Sequence, residues 1–150
     1  MKLYIIRHGE TKLNALGRLQ GWTDEPLNQN GKDLAIITGK EIPFDLVITS
    51  PLKRARETGE LTVAASEKNF GRKIPIIEDR RIMEFNWGCW EGLGCLENNF
   101  EVPDPNYNIF YTDAFHYQGS PDGESGADVM ERTADFFNEL IANPDYQDKT

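Results

Sequence analysis

A guanidinium group and an imidazole stand together near the start of the chain, in the stretch Arg7-His8-Gly9-Glu10-Thr11. The apolar run before them, Leu3 to Ile6, predicts a buried strand, and α/β sheets bind their ligands at the carboxyl ends of such strands. A neutral imidazole is a nucleophile at about pH 7, and an adjacent arginine favours an anionic substrate. Alternatively, Gly9 starts a turn and Thr11 caps a short helix at a solvated strand end. Only further groups of matching chemistry favour the catalytic interpretation.

A second cationic element follows the second predicted strand, Asp45 to Thr49. Ser50 and Pro51 predict a helix that runs from Pro51 to about Ser66, with Ser50 as its cap. The positive end of the helix dipole and the arginines of the first turns favour an anion there. Because Arg54 and Arg56 lie about 200° apart around a helix, we expect Arg54 to point inward and Arg56 to reach the site from its rim or not at all.

A carboxyl group is placed among aromatic residues further along the chain, where Glu84 is surrounded by Phe85, Trp87 and Trp90. Contact with apolar rings removes water from a carboxyl group and favours its protonated form. Glu84 is therefore a candidate general acid.

Size and charge limit the classes of function. A chain of 150 residues that is 39% hydrophobic and 27% charged predicts one globular domain with a single core. The net charge of −9, with no basic block, opposes binding to nucleic acid or to anionic membranes. A small phosphate ester remains compatible, because charges beyond about 8 Å are largely screened and a local arginine cluster dominates in a pocket.

The same sequence predicts where the protein resides and what it requires. No apolar run approaches the roughly 18 residues of a membrane span, and Leu3 to Ile6 is too short for a signal-peptide core, so we expect a cytoplasmic protein. Carboxylates and imidazoles form no cluster of ligand spacing. We therefore expect no metal and no other cofactor.

Other segments frame these groups. Residues 29–41 predict a helix capped by Asn28, with Leu34, Ile37 and Ile42 towards one face. Residues 74–77 predict an edge strand. A proline-rich excursion over about 91–124 is typical of a lid or specificity insertion, and a capping box at Ser125 opens the last helix.

Four groups of motifs follow one another along the chain. They are Arg7-His8-Gly9-Glu10-Thr11 with Asn14, Gln20-Gly21 and Asp24-Glu25-Pro26-Leu27; Ser50-Pro51-Leu52-Lys53-Arg54-Ala55 with Thr58; Glu84 with Gly88 and Trp90-Glu91-Gly92; and Gly123-Glu124-Ser125. Their content and order resemble the histidine phosphatase superfamily, in its phosphoglycerate mutase-like branch. The series spans nearly the whole chain, and it is therefore specific.

This resemblance implies an α/β three-layer sandwich with a mostly parallel central sheet flanked by helices. It implies that His8 is the nucleophile, that Arg7 and Arg54 clamp the phosphoryl oxygens, and that Glu84 donates a proton to the leaving group. Asn14, Gln20 and Gly21 would add phosphate contacts. The expected partner is a small phosphorylated metabolite.

One departure from the family concerns a second active-site histidine, which the family carries on an interior strand after the last helix. His116 precedes Gly123-Glu124-Ser125, so it is in the wrong order to be that residue, and we expect it on the surface or in a lid. Either the 150 residues belong to a longer enzyme, the interpretation that we favour, or they are a natural short form with impaired chemistry. An absent interior strand would expose its neighbours' edges and promote pairing with another chain, such as a homodimer.

Three functions are compatible with these residues. A phosphomonoesterase acting through a phosphohistidine is the preferred hypothesis, because the linkage between the motifs is compact. A phosphoglycerate mutase would use the same groups and exclude water. A non-catalytic phosphate-binding module would explain the lack of the second histidine.

Overall fold

The computed structural model describes all residues from Met1 to Thr150. Its helices and strands are α1 (Lys12–Ala15), α2 (Gln29–Glu41), β1 (Val47–Thr49), α3 (Lys53–Phe70), β2 (Ile76–Glu78), α4 (Ile109–Thr112) and α5 (Gly126–Ala142). Strands β1 and β2 pair in parallel, with Val47 opposite Ile76. The predicted α/β class with a parallel sheet and helices is confirmed, and the sheet contains two strands.

The N-terminal segment differs from its prediction. Residues 1–10 form no strand, and Leu3 and Ile5 are 51% and 81% exposed, so the expected buried strand over Leu3 to Ile6 is wrong. The physical reason is the lack of a neighbouring strand, because the backbone of residues 3–7 makes no hydrogen bond. Strand propensity alone does not satisfy those groups, and a strand needs a partner to form.

Helices α2 and α3 pack closely because a glycine lies at their interface. The buried face of α2 consists of Gly31, Ala35 and Gly39, whereas Leu34 and Ile37 are exposed. A Cβ atom at Gly39 would lie 2.1 Å from the carbonyl oxygen of Thr62 in α3. The predicted packing face of this helix, with Leu34 and Ile37, is therefore wrong. The two backbones approach so closely that only small residues fit between them. The predicted cap is confirmed, since the Gly31 amide donates to Asn28 Oδ1 at 2.9 Å.

Helix α3 starts later than predicted. Its N-cap is Leu52, which has no side-chain cap, so the predicted start at Pro51 with a Ser50 cap is wrong. A carboxylate from a different loop takes the place of the cap, because the Lys53 amide donates to Asp24 Oδ1 at 2.7 Å. A cap supplied from elsewhere in the chain leaves no local sequence signal.

The larger core is aromatic and joins residues 85–90 to the excursion over residues 91–124. It consists of Leu19, Phe85, Trp87, Trp90, Val102, Tyr107 and Tyr117. The excursion contains short helical turns, as expected, including α4 and the turn Ala114–His116. Helix α5 begins at the predicted capping box, where the Asp128 amide donates to Ser125 Oγ and the Ser125 amide donates back to the Asp128 carboxylate. No helix of the structure combines the length and the apolar character needed to cross a membrane.

Candidate active site

The predicted catalytic side chains share one cleft. This cleft, of about 490 Å³, lies between the N-terminal segment, β1, α3 and α5, and its walls include Arg7, His8, Arg54 and Glu84. Its remaining walls are mostly apolar, among them Val47, Phe136 and other side chains of those elements. The structure thus brings together four groups that are up to 77 positions apart in the sequence, from Arg7 to Glu84.

Glycines fix the course of the chain just after His8. A Cβ atom at Gly9 would lie 2.5 Å from the Gly31 carbonyl oxygen, and one at Gly31 would lie 2.4 Å from the Glu10 carbonyl oxygen. The backbone beyond His8 therefore passes directly against the start of α2, where no side chain fits. Glu10 adds to this contact, because its carbonyl oxygen accepts from the Asn28 amide at 2.9 Å.

His8 is held in one tautomer by its own loop. Its Nδ1 lies 2.7 Å from the Gly9 carbonyl oxygen, and because a carbonyl only accepts, Nδ1 carries the proton. The lone pair is consequently on Nε2, the nitrogen available for attack. Burial lowers the pKa of His8 below 6.5, opposed by the hydrogen bond to Gly9, and the charges of Arg54, Glu84 and Arg7 also act on it. A lowered pKa favours the neutral form of this half-buried imidazole at about pH 7, and a neutral imidazole is the form that can attack an electrophile.

Arg54 is the inward-pointing arginine, as expected. The residue is 1% exposed, and its guanidinium donates to the carbonyl oxygens of Gly21 at 2.6 Å and Thr23 at 3.2 Å. Its Nε is buried without an acceptor in the protein. Burial lowers the pKa of Arg54, and the carboxylates of Glu84, Asp24 and Glu91 oppose that effect. Arginine remains charged in proteins, so the cleft contains a fixed cation.

Glu84 lines the cleft but is not enclosed by aromatic rings. The buried residues Met83, Phe85 and Trp87 alternate with it along the chain, so Glu84 lies on the opposite side of an extended segment and is exposed. The expected removal of water from its carboxyl group by Phe85, Trp87 and Trp90 is therefore wrong. The Glu84 carboxylate accepts from the Phe85 amide at 3.0 Å.

The predicted accessory residues Asn14, Gln20 and Gly21 do not line the cleft but form a network that contacts Arg54. Thr11 Oγ1 donates to Gln20 Oε1 at 2.6 Å, and the Thr11 amide donates to Asn14 Oδ1 at 3.1 Å. Gln20 is 5% exposed, and its Nε2 donor finds no acceptor in the protein. Gly21 contributes through its carbonyl oxygen, which holds Arg54. These amides orient one another and connect, through Gly21, to the buried cation.

Two predicted residues lie away from this group. Arg56 faces Glu60 and Glu78, with N–O distances of 4.0 and 3.6 Å, and it does not line the cleft. His116 lies on the surface of the excursion, where its ring is 70% exposed and pairs with Asp113. The structure thus does not bring Arg56 or His116 to His8.

Sequence reasoning assigned no role to several residues that position the site. Thr58 Oγ1 accepts from the Gly9 amide at 3.0 Å and donates to the Arg54 carbonyl oxygen at 2.7 Å, so it joins the two segments that carry His8 and Arg54. Glu91 accepts from the amides of Trp22 and Thr23, at 2.6 Å each, and so orders the loop that holds Arg54. The spacing of four between Arg54 and Thr58 was the available signal.

The chain is similar to known proteins along most of its length. The family model described as "Histidine phosphatase superfamily (branch 1)" matches residues 3–148. A Bacillus subtilis protein named uncharacterized phosphatase PhoE is 38% identical over 69% of this chain and 52% of its own length. A Gloeobacter violaceus protein named 2,3-bisphosphoglycerate-dependent phosphoglycerate mutase 2 is 32% identical over 93% of this chain and 63% of its own.

A solved structure resembles the fold as well. The crystal structure of TTHB049 from Thermus thermophilus superimposes with a TM-score of 0.73 at 32% identity, covering 90% of this chain and 70% of that one. The chain thus spans between half and two thirds of the two curated relatives.

Proposed function

Because the chain belongs to the histidine phosphatase superfamily, we propose that it is a phosphomonoesterase that hydrolyses a small phosphorylated metabolite through a phosphohistidine at His8. The observation that carries this proposal is the hydrogen bond between His8 Nδ1 and the Gly9 carbonyl oxygen, which leaves Nε2 as the unprotonated nitrogen of the neutral ring. The cations of Arg7 and Arg54 and the carboxyl group of Glu84 line the same cleft. That shared cleft supports the roles proposed for them: His8 as nucleophile, Arg7 and Arg54 as anion clamp, and Glu84 as proton donor.

The reaction follows from these roles. Nε2 of His8 attacks phosphorus, the ester P–O bond breaks, and the leaving oxygen takes a proton from Glu84. The guanidinium groups of Arg7 and Arg54 stabilise the charge on the transferring phosphoryl group. Water then attacks phosphorus, the N–P bond breaks, and the Glu84 carboxylate takes the proton of the water. Both residues return to their starting forms.

Accessory contacts to the phosphoryl group are proposed for Asn14, Gln20 and Gly21. The buried Nε2 donor of Gln20 supports this role, because a buried donor without an acceptor costs about 1–3 kcal/mol and an anionic oxygen would satisfy it. For Arg56 the support is weaker, since its guanidinium already faces two carboxylates.

A mutase is the second candidate, and a specific comparison favours it. The Gloeobacter violaceus relative that matches 93% of this chain is named a phosphoglycerate mutase. Such an enzyme would return the phosphoryl group from His8 to a hydroxyl group of a glycerate rather than to water.

Substrate assays distinguish these candidates. Turnover of p-nitrophenyl phosphate without isomerisation of 3-phosphoglycerate supports the phosphatase. Isomerisation without net release of phosphate supports the mutase. Binding of phosphate with neither reaction would contradict both and leave a phosphate-binding module.

Two further properties belong to the proposal. The chemistry above needs no metal, so we expect full activity in EDTA, and complete loss of activity there would contradict this expectation. The cytoplasmic location expected from the sequence stays a prediction, and microscopy of the tagged protein tests it.

A further inference from the structure

The segment that carries Glu84 has no regular structure of its own. It lies between the short helical turns Arg80–Ile82 and Gly88–Trp90. The only hydrogen bond of the Glu84 carboxylate is to the neighbouring Phe85 amide, so no distant side chain positions that carboxyl group. Its location in the cleft therefore depends on whatever fixes the backbone of this segment.

Arg132 of helix α5 binds that backbone at three carbonyl groups, and Trp22 Nε1 adds a hydrogen bond to the Glu84 carbonyl oxygen at 2.9 Å. One terminal nitrogen, Nη1, donates to the carbonyl oxygens of Arg81 at 2.7 Å and Met83 at 2.8 Å. The other, Nη2, donates to the carbonyl oxygen of Glu84 itself at 3.1 Å. Three carbonyl groups within four residues thus converge on one guanidinium group.

Glu124 holds the guanidinium group in this orientation. Its carboxylate accepts from Nε of Arg132 at 2.7 Å and from Nη2 at 2.9 Å, a bidentate pair, and the two side chains are only 15% and 17% exposed, respectively. Glu124 also accepts from the Asn86 amide at 2.9 Å, and its own amide donates to the Asn86 carbonyl oxygen at 2.9 Å. The segment is therefore held on both sides of Glu84.

This arrangement needs an arginine. The contacts use all five N–H groups of the guanidinium in its planar geometry, whereas a lysine offers three donors around a single point. Attachment of α5 to the segment that carries Glu84 does not itself require the contacts of Arg132. Arg81 already joins this segment to the helix, because it pairs with Asp79 and also with Asp135 and Glu139 of α5.

We infer that Arg132, oriented by Glu124, is a positioning residue that places the Glu84 carboxyl group for proton donation to the leaving group. This inference rests on the proposed function. Arg132 acts on the step in which the P–O bond breaks, and it does not bind the phosphoryl group, which His8, Arg7 and Arg54 would hold.

The test compares leaving groups in the intact protein. General acids contribute about 10²–10⁴-fold to rate, mostly where the leaving group is poor. Arg132→Gln should slow hydrolysis of an alkyl phosphate at least about tenfold more than hydrolysis of 2,4-dinitrophenyl phosphate, as Glu84→Gln should. Inhibition by inorganic phosphate should change little, because the anion clamp is intact. Arg132→Lys should fall between the wild type and Arg132→Gln.

Arg81→Gln is the matched control, because it removes the other arginine that joins α5 to this segment but leaves the three carbonyl contacts intact. It should lower thermal stability without changing the dependence on the leaving group. If Arg132→Gln fails to fold, the comparison of Arg132→Lys with Arg81→Gln decides.

Two outcomes overturn the inference in distinguishable ways. In the first, Glu84→Gln slows the alkyl phosphate more than 2,4-dinitrophenyl phosphate, but the Arg132 variants slow both substrates equally. This result contradicts the positioning role of Arg132 and leaves the proposed function intact. In the second, Glu84→Gln slows both substrates equally. This result contradicts proton donation by Glu84 and, with it, the role of Arg132.

Discussion

At the scale of single residues, the proposed chemistry depends on the protonation of His8. The Gly9 carbonyl oxygen fixes the proton on Nδ1, and burial lowers the pKa of the ring. The two effects act on different properties, since the first selects which nitrogen attacks and the second keeps that nitrogen unprotonated. Arg54 contributes a cation that the carbonyl oxygens of Gly21 and Thr23 hold in a nearly fully buried position.

The lowered pKa of His8 predicts a pH dependence of stability. In the unfolded chain the ring takes up a proton as the pH falls through 6.5, whereas the folded ring does so only at lower pH. Protonation of His8 in the unfolded chain therefore lowers the free energy of unfolding as the pH falls below 6.5. Above that pH the ring is neutral in both states and has no such effect. Between about pH 7.5 and about pH 5.5, the free energy of unfolding should fall more in the wild type than in His8→Gln, as measured by urea denaturation. Parallel losses in the two proteins would contradict this.

Several features of single residues could be predicted from the sequence, and others could not. Asn28 and Ser125 were recognisable as caps because a cap acts on amides two or three residues away. Helical spacing predicted that Arg54 and Arg56 would not share one face, and the structure confirms the expectation that Arg54 is the inner residue. The exposure of Glu84 was not predictable, since it depends on which side of an extended segment faces the aromatic core.

At the scale of elements, the site is built from the close packing of α2 on α3. Gly39 lets the two helices approach, and Gly9 and Gly31 let the loop after His8 pass against the start of α2. Thr62 Oγ1 adds a hydrogen bond across the interface to the Ala35 carbonyl oxygen at 3.1 Å. Hydrophobic periodicity suggested Leu34 and Ile37 as the packing face, and it failed because it gives glycine no weight.

A glycine substitution tests this packing. In Gly39→Ala the new methyl group would meet the Thr62 backbone, so we expect a loss of about 1–3 kcal/mol in the free energy of unfolding. Lys40→Ala, at an exposed neighbouring position, should change stability by no more than about 0.5 kcal/mol. Thermal denaturation measures both. Equal stability of the two variants would show that the helices are not in backbone contact at Gly39.

At the scale of the whole molecule, the N-terminal segment lines the cleft without pairing to a strand. The backbone of residues 3–7 makes no hydrogen bond, and the side chains of this segment include exposed apolar groups such as Leu3 and Ile5. Unpaired backbone beside apolar surface promotes pairing with another chain. The strand predicted for this segment needed a partner that the local sequence does not encode, so this part of the fold could not be predicted from it.

We therefore propose that the 150-residue chain self-associates through this segment. Analytical ultracentrifugation should detect dimers that increase with salt, because salt screens the repulsion between chains that each have a net charge of −9. Ile5→Lys should reduce association, since Ile5 is 81% exposed in the segment. Leu34→Lys, which alters an exposed apolar residue outside the cleft, should not. A monomer at all concentrations and salts would contradict this proposal.

The central claim, that His8 receives the phosphoryl group, is tested most directly by mapping the covalent label. The protein is mixed with ³²P-labelled p-nitrophenyl phosphate, quenched within milliseconds in alkali, where phosphohistidine is stable, and digested into peptides. The account predicts acid-labile label on the peptide that contains His8. Label on a different side chain, or turnover without any label on the chain throughout the pre-steady-state time course, would contradict it.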